Sequence, residues 1–323
     1  MSTPAQLPTD LEKVYPGVVF GTLERGQAGY PDTFGTEKGR PERLYYIGDL
    51  DALEAPGLAI VGARKATEYG LSCTRMLARR AAELGFTVVS GGAIGCDQEA
   101  HRGALDAGAR TIVVLGCGVD VVYPERAKPL FDDVLARGGL LISEFAWSTL
   151  PKSWTFIRRN SLIAGLGLAT LIIEAGLPSG TFSTADATLE QGKELLAVPG
   201  SIFSKQSRGS NHLIAQGAYP VIDAAALESI LLGIRESHGF GAQGRAAGEE
   251  GWDVVPIDPL GLGQEILNQL RSEARRPEEL LAAVEKTITL EGGIVEVLCC
   301  LSHLELEGLV KRMRDGRFAY HAK

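Results

Sequence analysis

The 323-residue chain carries no Cys-x-x-Cys pair and no Cys/His cluster at zinc spacing; its five cysteines, Cys73, Cys96, Cys117, Cys299 and Cys300, are scattered. No metal site is expected, and the thiols point to a reducing, cytoplasmic setting. No signal peptide opens the sequence. The longest apolar stretch, Leu162 to Leu177, is broken by glycines, Thr170 and Glu174, so no membrane span is expected. Positive charge is also short: 32 Lys and Arg against 40 Asp and Glu leave a net −8. Such a surface repels phosphates in bulk, and any nucleic-acid site must be a local basic patch. Missing too are the nucleotide signatures. Gly62-Ala63-Arg64 starts no Gly-x-Gly-x-x-Gly, Gly116-Cys117-Gly118 lacks the third glycine, and there is no Walker-type Gly-x-x-x-x-Gly-Lys-Ser/Thr, so no cofactor is expected. Ser90 and Ser179 sit in no Gly-x-Ser-x-Gly elbow.

What is present is glycine, 40 residues of it, and a run of short aliphatic segments. Leu58 to Val61, Thr87 to Val89, Thr111 to Leu115, Leu140 to Ile142, Ala169 to Ile173 and Leu195 to Val198 are continuous rather than alternating, as parallel strands buried on both faces are. Segments of helical spacing separate them, long enough for right-handed crossovers. The spacing predicts an α/β fold, a doubly wound, mostly parallel, Rossmann-like sheet, within a core of residues 44–232. Residues 1–43, rich in proline and glycine, are expected to be an irregular extension, with one short strand following at Leu44 to Ile47. A Gly-rich linker (233–254) precedes residues 255–323, where three helical patterns and a hairpin about Asp315-Gly316 predict a small C-terminal winged helix.

In open α/β sheets ligands sit beyond the carboxyl ends of the strands. Those ends lead into Gly62-Ala63-Arg64-Lys65, Ser90-Gly91-Gly92, Gly116-Cys117-Gly118 and Pro178-Ser179-Gly180-Thr181. Backbone amides of such loops can converge on an anion, and Arg64, Arg126, Lys152, Arg158 and Arg159 lie in or near them. For any one loop, glycine at a turn and a solvated cation suffice as explanations. Four loops on one edge favour a phosphate site. Asp97 and His101, one helical turn apart, read either as an acid/base pair or as a helix-start carboxylate hydrogen-bonded by a neighbouring imidazole, with the second preferred. Cys96 reads as packing.

Gly62-Ala63-Arg64 with Tyr69-Gly70, Ser90 to Asp97 with Ala100-His101, Gly116 to Asp120 with Tyr123-Pro124, Arg159-Asn160, Ser179-Gly180-Thr181, Glu190-Gln191-Gly192, Ala197 to Gly200 and Gly209-Ser210-Asn211 together resemble the DprA/Smf DNA-processing family in order and spacing. The likeness covers about residues 43–225. It implies a non-enzymatic, dimeric protein that binds single-stranded DNA and loads a RecA-type recombinase during natural transformation or recombination. The strand-binding residues it implies are Gly62, Arg64, Ser90, Gly91, Gly92, Arg126, Lys152, Phe156, Arg159, Asn160, Ser179, Gly180, Thr181 and Asn211. Phe156 reads equally as a base-stacking face or as core. Two departures matter: Ala63 replaces a serine, and Ser161 replaces a second arginine for which Arg158 is the candidate substitute. The N-terminal helical domain of many relatives is not expected in the first 40 residues, which are too short and too rich in proline to form it.

Two other classes remain. The LOG-type nucleotide phosphoribohydrolases share a related core, but Thr184 stands where their catalytic glutamate belongs. A duplex-binding regulator would use the wing cations Lys311, Arg312, Arg314 and Arg317, yet the stretch before them, Cys299 to Glu307, carries glutamates and no Arg or Lys.

Overall fold

The structure, a computed structural model, describes residues 11–34, 40–239, 262–288, 293–306, 309–313 and 316–321. The chain divides into two compact units, 1–243 and 244–323.

The first unit holds a nine-stranded sheet. In chain order its strands are β1 Phe20–Glu24, β2 Arg43–Gly48, β3 Gly57–Val61, β4 Thr87–Ser90, β5 Thr111–Val114, β6 Leu140–Ser143, β7 Ala169–Ile172, β8 Glu194–Ala197 and β9 Tyr219–Pro220. In space they run β1-β2-β6-β5-β4-β3-β7-β8-β9, antiparallel from β1 to β6 and parallel from there on. Every residue of β3 to β7 is buried, as continuous aliphatic runs require. The expected mostly parallel α/β sheet is therefore present. Strand order reverses at β3, which has β4 on one side and β7 on the other. A crevice opens at the carboxyl ends of strands at such a reversal.

The helices of this unit are α1 Leu11–Val14, α2 Glu68–Glu83, α3 Cys96–Asp106, α4 Lys128–Ala136, α5 Ser153–Leu166, α6 Phe182–Glu190, α7 Arg208–Ala215 and α8 Ala224–Ser237. The start of α2 is tied to the end of β7. Glu174, 1% exposed, accepts from the Thr67 amide at 2.8 Å and the Thr67 hydroxyl at 2.7 Å. The same hydroxyl oxygen accepts from the Gly70 amide at 3.2 Å and so caps the helix. The far end of α5 is closed by Lys193, whose ammonium donates to the carbonyls of Ala164, Gly165 and Gly167 at 2.6–2.9 Å.

The sequence reading needs correction at both ends of this unit. Residues before 44 are not merely an irregular extension. β1 pairs with β2 along its length, Tyr30 and Phe34 are buried, and the Thr33 hydroxyl donates to the Gly165 carbonyl at 2.7 Å. Irregularly spaced aromatics carry no period, so only tertiary packing reveals the role of this segment. At the other end, α8 continues past residue 232 to Ser237; the expected linker from 240 to 254 lies outside the described residues.

In the second unit, α9 Leu262–Ser272, α10 Pro277–Val284 and α11 Ile294–Leu306 surround a core of Ile266, Leu270, Leu280, Val284, Val297 and Leu301. β10 Val310–Arg312 pairs antiparallel with β11 Phe318–Tyr320. Glu307, Arg314 and Asp315, named in the sequence reading of this unit, lie outside the described residues.

One core group makes stability sensitive to acid. His101 of α3, 0% exposed, places Nδ1 2.8 Å from the Thr111 hydroxyl. That hydroxyl donates its only proton to the Val88 carbonyl at 2.7 Å, so Nδ1 must be the donor and Nε2, which has no partner, is bare. His101 therefore anchors α3 to β4 and β5 and does not hydrogen-bond Asp97. Burial pulls its pKa from 6.5 to about 3. Below pH 6.5 the unfolded chain takes up a proton that the native ring refuses, so stability falls as pH drops through that window. Between pH 7 and pH 5 this linkage costs about 2 kcal/mol. Urea unfolding at the two pH values should show that loss in the native sequence and a smaller one in His101→Asn; equal slopes would assign the acid limb to other groups.

Candidate functional site

A cavity of about 500 Å³ occupies the crevice beside β3. Its wall comprises Val61 to Arg64 after β3, Ala93 and Asp97 at the start of α3, Phe156, Ile157, Arg159 and Asn160 on α5, and Ser179 to Thr181 with Ser183 and Thr184 at the start of α6. Four chain segments distant in sequence meet there because each follows, or packs on, a strand ending at the same edge.

Arg159 holds these segments together from beneath. It is 5% exposed, and its Nη1 donates to the carbonyls of Gly91 at 2.7 Å and Val114 at 3.1 Å, the ends of β4 and β5. Its Nε donates to Asn160 Oδ1 at 3.0 Å, which sets the Asn160 amide to donate to Ser183 Oγ at 2.7 Å. Asp97 faces Arg159 across Gly91, and the backbone of Ala93, Gly62 and Gly91 hydrogen-bonds its carboxylate. Burial pushes the Asp97 carboxyl up and the Arg159 guanidinium down, each partly opposed by the other's charge. Only glycine fits between them: a Cβ at 91 would collide with Arg159 Nη1 and crowd Asp97 Oδ2. Asp97 is thus an internal fastener of loop amides, and the buried Cys96, its thiol pushed up to about 12, is inert packing.

Above this layer sits Phe156, half-buried, its ring pressed on Gly116, where a Cβ would come within 2.8 Å. The Arg159 guanidinium lies 5.7 Å from the ring centroid and the Arg64 guanidinium 5.8 Å, while Tyr123 leans on it at 5.5 Å. Arg64 is exposed and has no carboxylate partner among the described residues. The 179–181 turn is braced from within: Ser179 Oγ accepts from the Thr181 amide at 3.2 Å and donates to the Thr181 hydroxyl at 3.0 Å.

Of the residues proposed from sequence, Gly62, Arg64, Phe156, Arg159, Asn160, Ser179, Gly180 and Thr181 line the cavity. Others do not. Ser90 is wholly buried and spends its hydroxyl on the Ile60 carbonyl at 2.6 Å. Gly91 and Gly92 are buried beneath the wall, Gly92 against Phe131. Asn211 makes a closed pair with Gly200, accepting from its amide at 3.0 Å and donating to its carbonyl at 2.9 Å. Arg126 and Lys152 are exposed, outside the lining, with no carboxylate partner among the described residues. Arg158 cannot substitute for a cation at position 161, because Glu144 holds it at 2.6 Å; Ser161 itself faces Gln191, whose amide donates to its carbonyl at 3.0 Å. Sequence reasoning passed over Ile157 and Ser183, and weighed Thr184 only as the replacement for a catalytic glutamate. Ser183 and Thr184, following the 179–181 turn by two and three residues, were the readable signal.

Removing Arg159 strands a buried carboxylate, two backbone carbonyls and the Asn160 side-chain oxygen. Arg159→Ala is expected to cost about 3–5 kcal/mol in denaturant unfolding, and adding Asp97→Asn should recover part of it. With Asp97→Asn also measured alone, a double-variant loss equal to the sum of the two single losses would show the two charges to be uncoupled.

The chain matches the family described as DNA recombination-mediator protein A over residues 22–231. Protein Smf of Escherichia coli K12 is 38% identical over 206 residues, which is 64% of this chain and 55% of that protein, so the chain spans about half that relative's length. The X-ray structure of DNA processing protein A from Streptococcus pneumoniae superposes with a TM-score of 0.61 at 34% identity, over 65% of this chain and 74% of that one. DNA processing protein A from Helicobacter pylori, whose structure describes a single-stranded DNA binding mode, gives 0.60 at 32% identity over 66% and 96%. With its doubly wound sheet and a family match that includes every wall segment of the cavity, the chain belongs to the DNA recombination-mediator protein A family, the DprA/Smf proteins.

Proposed function

We propose that the cavity binds single-stranded DNA, and that the protein, as a cytoplasmic homodimer, delivers the strand to a RecA-type recombinase. The observation that carries this reading is the uncommitted Arg64 guanidinium poised over the face of Phe156, within a wall of hydroxyls and loop backbone. A phosphate needs a cation without a carboxylate partner, a base needs an aromatic face, and both lie here within one nucleotide's reach. The single-strand binding mode described for the Helicobacter pylori relative supports the same ligand. Gly62, Arg64, Phe156, Asn160 and Ser179 to Thr181 would touch the strand directly, with Arg126 and Lys152 as outlying phosphate contacts. Ser90, Gly91, Gly92, Arg159 and Asn211 would act by holding the wall. A nucleotide-cleaving enzyme is disfavoured: Thr184, not a carboxylate, meets the cavity at the start of α6, and the buried Asp97 is engaged by loop amides.

Binding of fluorescent oligo-dT and of its duplex across about 50–200 mM salt tests the reading. Tight binding of the single strand is expected, and Arg64→Ala should weaken it while lowering the log–log salt slope by about 0.7. Absence of single-strand binding at low salt, or hydrolysis of AMP-like substrates, overturns it.

A further inference from the structure

Trp154 stands on the first turn of α5, 54% exposed, outside the cavity lining. Three residues on, and so on the same helical ridge, Ile157 is 64% exposed and does line the cavity. The indole is held in place: Phe145 meets it edge-to-face, with centroids 5.6 Å apart at 81°. Lys152 is exposed at the start of the same helix, with no carboxylate partner among the described residues. The apolar side chains of Phe156, Ile157 and Trp154 thus continue the cavity wall outward along α5, with Arg64 at the Phe156 end and Lys152 just before the helix. Flexible single strands carry bases and phosphates side by side, and stacking tolerates any base because every base has a π-face.

We propose that Trp154 is a stacking subsite for the nucleobase adjoining the nucleotide held in the cavity, an inference that rests on the single-strand reading above. Its occupant is a base and not a phosphate, because the indole offers a ring face and no anion-binding charge.

The test uses the whole chain, oligo-dT and an abasic oligodeoxyribonucleotide of equal length, which keeps the phosphates and lacks the bases. Trp154→Ala should weaken oligo-dT binding by about tenfold and leave the abasic strand's affinity unchanged; Trp154→Phe should restore most of the loss. Oligo-dT should also quench tryptophan emission in the native sequence more than in Trp154→Phe. Equal losses for both strands would assign Trp154 to folding rather than stacking and overturn the subsite, and unchanged oligo-dT affinity would overturn the subsite while leaving the cavity reading intact. If the native protein binds neither strand, the cavity reading itself fails.

Discussion

Two buried charges on either side of one glycine organise this molecule's working edge. Asp97 gathers the backbone of the loops after β3 and β4, and Arg159 gathers the carbonyls ending β4 and β5 and aligns Asn160. Neither group is at ease in a medium of low polarity, as the opposed shifts of their pKa values show. Each is tolerated because the other, together with its backbone partners, offsets the cost of burial. The cost of burying them favours order: moving the loop after β3, β4 or β5 leaves a buried charge short of a partner, and the 179–184 segment is tied on through Asn160. A cavity wall assembled from four remote chain segments thereby behaves as one body.

The pairing of charges also explains how an acidic protein can leave exposed cations at the edge where β3 ends. Most arginines on the helical faces are neutralised where they stand, Arg75 by Asp106 at 2.7 Å, Arg80 by Glu228 at 2.7 Å and Arg137 by Asp133 at 3.0 Å. Exposed pairs of this kind add little stability, but they cancel the far field of each cation. Arg64, Arg126 and Lys152 have no such partner among the described residues. Net charge therefore says little about the edge where β3 ends, because at physiological salt a surface charge is felt over only about 8 Å.

Much of the fold was legible because parallel strands buried on both faces leave uninterrupted aliphatic runs, and six such runs became six strands. The lead-in strand β1 was not, since an edge strand with one exposed face and scattered aromatics gives neither a run nor a period. At the site, residue type located the right loops but not which way each side chain turns. Ser90 and Asn211 are polar, lie beside strand ends and belong to family motifs, yet both are consumed by backbone partners. Arg158 and Arg159 are adjacent and chemically identical in sequence; a helical turn sends one to Glu144 at the surface and the other under the wall. That division depends on the register of α5, which is set by the Thr155 hydroxyl donating to the Gly116 carbonyl and by Lys193 at the helix's far end.

Because the wall's side chains are largely satisfied by one another, the chemistry left for a ligand is sparse. Asn160 is held by Arg159 and Ser183, Ser179 by Thr181, and Asp97 by loop amides, so none is free to form the bidentate pairing through which a protein distinguishes one base from another. What remains is a guanidinium, aromatic and aliphatic faces and hydroxyl lone pairs. These recognise a phosphate and a flat ring without regard to base identity. On the single-strand reading proposed above, a site of that composition would suit a ligand whose sequence is not known in advance, and would select it instead by whether its bases are unpaired and free to leave the stack.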